Sequence, residues 1–158
     1  MTKKIKILLA VSLMLILMSC DRNKVYEDYI KIEDGIWAQE NIAKFEFEIN
    51  DTSDIYNVLI NLRHASIYPY NNLWLFVKSS APNGTINIDT VECLLVNKDN
   101  RWLGDGMGDI WDIQVPWKNN IRFSHQGIYR IEFEQAMRVK NLPGVMDVGL
   151  RVEKINAN

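Results

Sequence analysis

The sequence predicts an all-β protein, an antiparallel β-sandwich of the Greek-key type, Ig-like or jelly-roll-like, carried behind an N-terminal lipoprotein signal peptide. Three observations carry that expectation. Apolar residues recur with period two in several short segments, turn signals separate those segments, and no long amphipathic helical pattern interrupts them. With 158 residues, 47% hydrophobic and 24% charged, the chain has the length and balance of one folded domain.

The first element is the leader. Lys3, Lys4 and Lys6 precede an apolar run from Ile7 to Met18, and Ser19-Cys20 follows. Basic start, short apolar run and small residue are the layout of a secretory signal peptide. The run is 12 residues long, whereas a spanning helix needs about 20. Leu17-Met18-Ser19-Cys20 resembles a bacterial lipobox, with an aliphatic residue three before the cysteine and a small one just before it. In that reading residues 1–19 are removed and Cys20 takes a diacylglyceryl group and usually an acyl chain such as palmitate on its freed amine. Two or three chains anchor stably, since each buried methylene contributes about 0.8 kcal/mol and one chain alone is marginal. Residues 20–30 are then expected as lipidated cysteine and tether, and 31–158 as a single sandwich domain. The leader takes three lysines and no acids with it, leaving 15 basic against 20 acidic side chains, a formal charge of −5. That balance gives no electrostatic footprint for nucleic acid.

The strands follow in order. Phe45, Phe47 and Ile49 alternate with Lys44, Glu46 and Glu48. Tyr56, Val58, Ile60 and Leu62 alternate with Asn57, Asn61 and Arg63. Tyr129, Ile131 and Phe133 do the same against Arg130, Glu132 and Glu134, as do Val148, Leu150 and Val152 against Asp147, Arg151 and Glu153. Each reads as a strand with one dry face and one wet face. The runs LWLFV (73–77) and VECLLV (91–96) are apolar on both faces, which suits central strands covered twice or strands whose outward face meets a partner. Turns fall at PYNN (69–72), APNG (81–84), NKDN (97–100), GDGMGD (104–109), KNN (118–120) and LPG (142–144). A helical turn fits only at Gln135-Ala136-Met137-Arg138. Gly127-Ile128-Tyr129, just ahead of an alternating strand, has the form of a tyrosine corner.

Chemistry-bearing residues are few. Asp105, Asp109 and Asp112 sit around three glycines in RWLGDGMGDIWD. They could turn carboxylates onto a hard cation such as calcium, although the spacing is not that of an EF-hand, and solvated turn aspartates explain the stretch equally simply. No other cofactor is expected. His64 and His125 have no zinc-like spacing with cysteine or each other. No Gly-x-Ser-x-Gly elbow and no phosphate-binding loop of the Walker type occurs, so no enzymatic activity and no small-molecule substrate are expected. Glu132 and Glu134 read as plain surface. Cys93 reads as an inert buried thiol. Tyr68, Tyr70, Trp74 and Phe76 form an aromatic series that either packs in the core or makes a binding surface for sugar faces or a protein partner.

The segments RHASIYPYNNLWLFV, APNGTINIDTVEC, RWLGDGMGDIWD, GIYRIEFEQAMR and LPGVMDVGLRVEK together resemble the gliding motility lipoprotein GldH family of Bacteroidetes, over residues from about Asp34 to Lys154. The resemblance implies a lipid-anchored cell-envelope protein facing the periplasm, at the outer membrane rather than the inner. It would act as a structural or interaction component with other gliding motility envelope proteins and the linked secretion machinery. The alternative expectation is a glycan- or peptidoglycan-binding module. No catalytic residues are implied. Arg63, Asp105, Asp109, Asp112, Glu134, Arg138 and Arg151 are the polar positions within the resembling segments, where turn capping and cross-strand ion pairing are the simple roles.

Overall fold

The computed structural model describes residues 21–155, and the leader and Cys20 lie outside the described residues. Eleven strands and one 3-10 turn make up the described chain. They are β1 (Lys24–Lys31), the turn Glu33–Gly35, β2 (Ile36–Ala38), β3 (Ala43–Ile49), β4 (Ile55–Ala65), β5 (Asn72–Ser80) and β6 (Ile86–Leu94). β7 (Asp105–Met107), β8 (Ile110–Ile121), β9 (Gly127–Gln135), β10 (Asn141–Pro143) and β11 (Val145–Ile155) follow. All pairings are antiparallel.

One sheet has the order β1-β11-β4-β8-β7 and the other β3-β9-β5-β6, with β2 and β10 paired separately. Only β5–β6 and β7–β8 are hairpins within a main sheet. Elsewhere the chain keeps passing from one sheet to the other, as in a jelly roll, so the all-β sandwich expectation holds.

Period two decides which residues go inside. In β3 the pattern is strict, with Ala43, Phe45, Phe47 and Ile49 buried and the residues between them exposed. Val58, Ile60 and Leu62 from β4 and Val148, Leu150 and Val152 from β11 meet Leu73, Leu75 and Val77 from β5 and Ile131 and Phe133 from β9. The Phe45 and Phe133 rings, 5.3 Å apart, interlock at the centre.

Three local expectations are corrected. Most of the stretch read as a tether is strand, because β1 pairs with β11 from Lys24 to Lys31 and sends Tyr26 and Ile30 against the core. Among the described residues, only 21–23 precede β1. At 135–138 no helical turn forms. The Gln135 side chain is fully buried, its amide donating to Val139 O (2.9 Å) while its Oε1 accepts from Met137 N (2.9 Å), so a side chain takes the bonds a helical backbone would have made. Finally, β8 carries Pro116 and was not legible as a strand. Pro116 is tolerated because β7 covers only Ile110 to Asp112, leaving that part of β8 a sheet edge.

The Tyr129 ring is buried, and its hydroxyl donates to His125 O (3.0 Å) while accepting from His125 N (3.2 Å), the geometry of a tyrosine corner. Tyr129→Phe should therefore cost about 1–3 kcal/mol, because two backbone groups lose their partner. A urea titration of the purified domain measures this, with an unchanged midpoint as the contrary result.

Candidate functional site

The two sheets present outer faces of opposite character. On the five-stranded sheet, register lines up Lys31, Asp147, Arg63, Asp112 and Asp105 across five strands. Arg63 donates to Asp112 Oδ1 (2.7 Å) and Asp147 Oδ2 (3.3 Å). Two rows along, Arg151 bridges Asp21, Glu27 and Glu153. Between them Asn61 is 2% exposed although it faces outward. Its amide donates to Glu27 Oε1 (3.1 Å) and Tyr29 Oη (2.8 Å). Asn61 can be covered because its neighbour is Gly149, where a Cβ would come within 2.8 Å of the Tyr29 ring, so only glycine lets that ring lie flat on the sheet. This face is a linked polar network, in which the buried Asn61 Oδ1 has no hydrogen-bond partner among the described residues.

The four-stranded sheet has the other kind of face. Trp74 and Phe76 point outward from β5 at 37% and 45% exposure. Ile86, Ile88 and Leu94 point the same way from β6, and all three are more than half exposed. Trp74 stands opposite Glu92, Phe76 opposite Thr90 and Lys78 opposite Ile88. The result is an apolar stripe along the β5–β6 hairpin, on a strand that is also the edge of its sheet. At its Trp74 end lies a recess of 330 Å3 lined by Tyr70, Asn72, Trp74, Ala136, Met137 and Arg138. Toward β9 the stripe gives way to charge, with Lys78 paired to Glu132 and Arg130 to Glu46.

The predicted aromatic series is thus divided. Trp74 and Phe76 are surface, Tyr70 is half-buried at the recess, and Tyr68 is core, its hydroxyl donating to Asn72 O at 2.8 Å and held above its ordinary range by burial. LWLFV is not covered on both faces, which leaves the second expectation, a strand with its outward face open. Ile86 and Ile88 were missed, their only sequence signal being their alternation around Asn87, whereas Leu94 lies within the VECLLV run.

The three aspartates do not converge. Asp105 and Asp112 are cross-strand partners in the β7–β8 hairpin, Asp112 is taken up by Arg63, and Asp109 lies in the turn, where its carbonyl accepts from Ser66 N (2.7 Å). Gly104 is needed beside them because a Cβ there would lie 2.1 Å from Asp112 O. Among the described residues, no three His, Cys, Asp or Glu side chains gather as a metal site. His64 is buried against Trp102, with ring centroids 4.6 Å apart, and burial holds its pKa below the ordinary value. Burial pushes the Cys93 thiol up to about 12.

The fold and its surfaces define a small β-sandwich with one linked polar face and one open apolar face. The chain belongs to the GldH lipoprotein family, whose model matches residues 24–152. It is 34% identical over 143 residues to a gliding motility lipoprotein GldH homolog of Christiangramia forsetii, covering 86% of this chain and 87% of that one. With the gliding motility lipoprotein GldH of Flavobacterium johnsoniae it shares 33% identity over 147 residues, 89% of this chain and 91% of that one. Among solved structures, a family GH115 4-O-methyl-α-glucuronidase matches with a TM-score of 0.40 and 12% identity over 88% of this chain but 19% of that one, too distant to carry an argument.

The polar face has a pH signature. Glu27 is disfavoured as an anion by partial burial, yet Lys24 and Arg151 hold its carboxyl below the ordinary range. A depressed carboxyl contributes stability above its unfolded pKa and loses it as pH falls through the folded one. Thermal stability should accordingly decline below about pH 5. Glu27→Gln should flatten that decline, as read from melting temperatures across pH 3–7, and an unaltered profile in the variant would refute the assignment.

Proposed function

We propose that this protein is a lipid-anchored component of the cell envelope, attached through Cys20 and acting by docking to other envelope proteins of the gliding and secretion machinery, without catalytic activity of its own. Family membership supports the envelope role. The observation that carries the docking role is the contrast between the two outer faces. A solvated sheet face is expected to be polar, as the five-stranded one is. The β5–β6 face instead exposes Trp74, Phe76, Ile86, Ile88 and Leu94 on one side, interspersed with Lys78, Thr90 and Glu92, and clustered exposed apolar surface marks interaction sites. Aromatic anchors at the centre with Lys78, Glu92 and Glu132 around them match the arrangement of a protein interface. Membrane anchorage would raise the effective concentration of such a surface against its partners.

The recess between Tyr70, Trp74 and Arg138 favours a second reading, in which a ring of an envelope glycan stacks on Trp74. Titration of the purified domain with peptidoglycan fragments separates the two readings, since only the glycan reading predicts a change in Trp74 fluorescence.

For the docking reading, crosslinking in native envelopes followed by capture should recover gliding-machinery proteins. Phe76→Asp should lower that recovery at least tenfold while leaving the melting temperature within about 2 °C, because the side chain is at the surface. Equal recovery with Phe76→Asp would sink the assignment of this face, and a Cys20→Ala protein that still fractionates with membranes would sink the anchor.

A further inference from the structure

Strand register gathers one set of termini at a single end of the sandwich. Lys24 at the start of β1 lies opposite Glu153, Ile49 opposite Gly127, Ile55 opposite Ile155 and Tyr56 opposite Ile121. The β5–β6 turn closes at the same end. A cavity of 390 Å3 opens there between the two sheets. Its walls include Phe47, Val58, Trp117, Ile121, Phe123 and Ile131.

The cavity has a cause in β8. Val58 pairs with Lys118 but Leu59 pairs with Pro116, so the register slips by one residue at Trp117. A bulge of this kind turns two successive side chains to the same side. Trp117 and Lys118 accordingly both reach across to Asp89 Oδ2 on β6, at 3.1 and 2.6 Å. That polar clasp holds the flank of the cavity, whose lining is mostly apolar but includes Ser79, Thr85 and Asn87. Arg122 also lines the cavity and donates to Ser53 O, while the Lys118 charge beside it is paired with Asp89.

The described chain begins at this same end. Asp21 is bound by Arg151, and Asn23 O accepts from Lys154 N at 2.7 Å, so the body is ordered from residue 21 onward. With the anchor at Cys20, an inference that rests on the reading above, the end carrying the cavity lies against the bilayer, one or two residues from it at about 3.5 Å each.

We propose that this cavity takes one acyl chain of an anionic bilayer phospholipid, with Arg122 facing its phosphate. A largely apolar cavity open to water is stabilised by filling. Taking a methylene as roughly the 30 Å3 of a water, the space suits about 13 methylenes. The Arg122 guanidinium complements a phosphate and not a neutral chain end. Bound lipid would fix the tilt of the domain, which a flexible anchor alone leaves free.

The test uses residues 21–158, since the strands and the core of the described residues lie within 24–155. Phosphatidylglycerol vesicles brominated at mid-chain should quench tryptophan emission, and Trp117→Phe should remove most of that quenching because Trp117 lines the cavity. Ser79→Phe, which fills the cavity from β5, should weaken binding at least tenfold, and the surface substitution Arg122→Glu at least threefold without affecting folding. Absence of quenching, or equal quenching in Ser79→Phe with its fold intact by circular dichroism, would overturn the proposal. Quenching in residues 21–158 but none in the natively lipidated protein would also overturn it, by showing that the protein's own anchor is the occupant. The first two results depend neither on whether Cys20 is lipidated nor on the partner surface.

Discussion

A strand offers its side chains to two faces, and a two-layer sandwich covers only one face of each sheet. Everything distinctive about this molecule follows from how the two uncovered faces are treated. The interior is settled by alternation: Phe45, Phe47 and Ile49 cannot face solvent without turning Lys44, Glu46 and Glu48 into the core. Register is therefore tightly fixed in β3, β4, β9 and β11, and the outer residues inherit their positions from it. Arg63 stands between Asp112 and Asp147 because Leu62 must stand between Ile113 and Val148.

On the five-stranded sheet this inheritance produces a linked polar network. Arg63, Arg151, Glu27, Tyr29 and Asn61 each bond within the face, and a partner would have to break those bonds to form its own. Surface ion pairs contribute little one by one, but such a face is hydrophilic and largely bonded within itself, with the buried Asn61 Oδ1 left over. The other sheet lacks such a network along β5 and β6. Its apolar stripe runs to an edge strand, where unpaired backbone groups lie beside exposed Ile86 and Ile88. Natural proteins ordinarily blunt such edges with charge, bulges or cover. β6 has one such device in the inward-pointing Asp89, held by Trp117 and Lys118, but its outward face stays apolar at Ile86 and Ile88.

Most of the framework was legible in the sequence, since the four strictly alternating segments are the four strands that carry the core. Legibility failed where alternation failed. β1 has only Tyr26 and Ile30 facing inward, with Asp28 between them, and so read as a polar tether. β8 contains a proline and a bulge, which shift its phase at Trp117. The candidate surface was half legible. Trp74 and Phe76 were singled out by aromaticity, but Tyr68, of the same residue type, is core because its position precedes β5 and folds under His64. Nothing in residue type distinguishes the two situations.

β6 shows why such failures are informative. Its first half has Ile86 and Ile88 outside and Asn87 and Asp89 toward the opposite sheet, the reverse of the pattern in β3 of the same sheet. Inversion costs burial on one side and exposes apolar area on the other, so both faces must gain something. Inward, Asp89 meets Trp117 and Lys118 from the β8 bulge and frames the end cavity. Outward, the two isoleucines extend the Trp74–Phe76 stripe to the sheet edge. With strands of 9–12 residues rising about 3.3 Å each, a domain held at its Asp21 end carries these two features in different directions. On that anchorage the cavity faces the lipid and the stripe stands sideways along the membrane plane, where envelope proteins diffusing in the same layer would meet it.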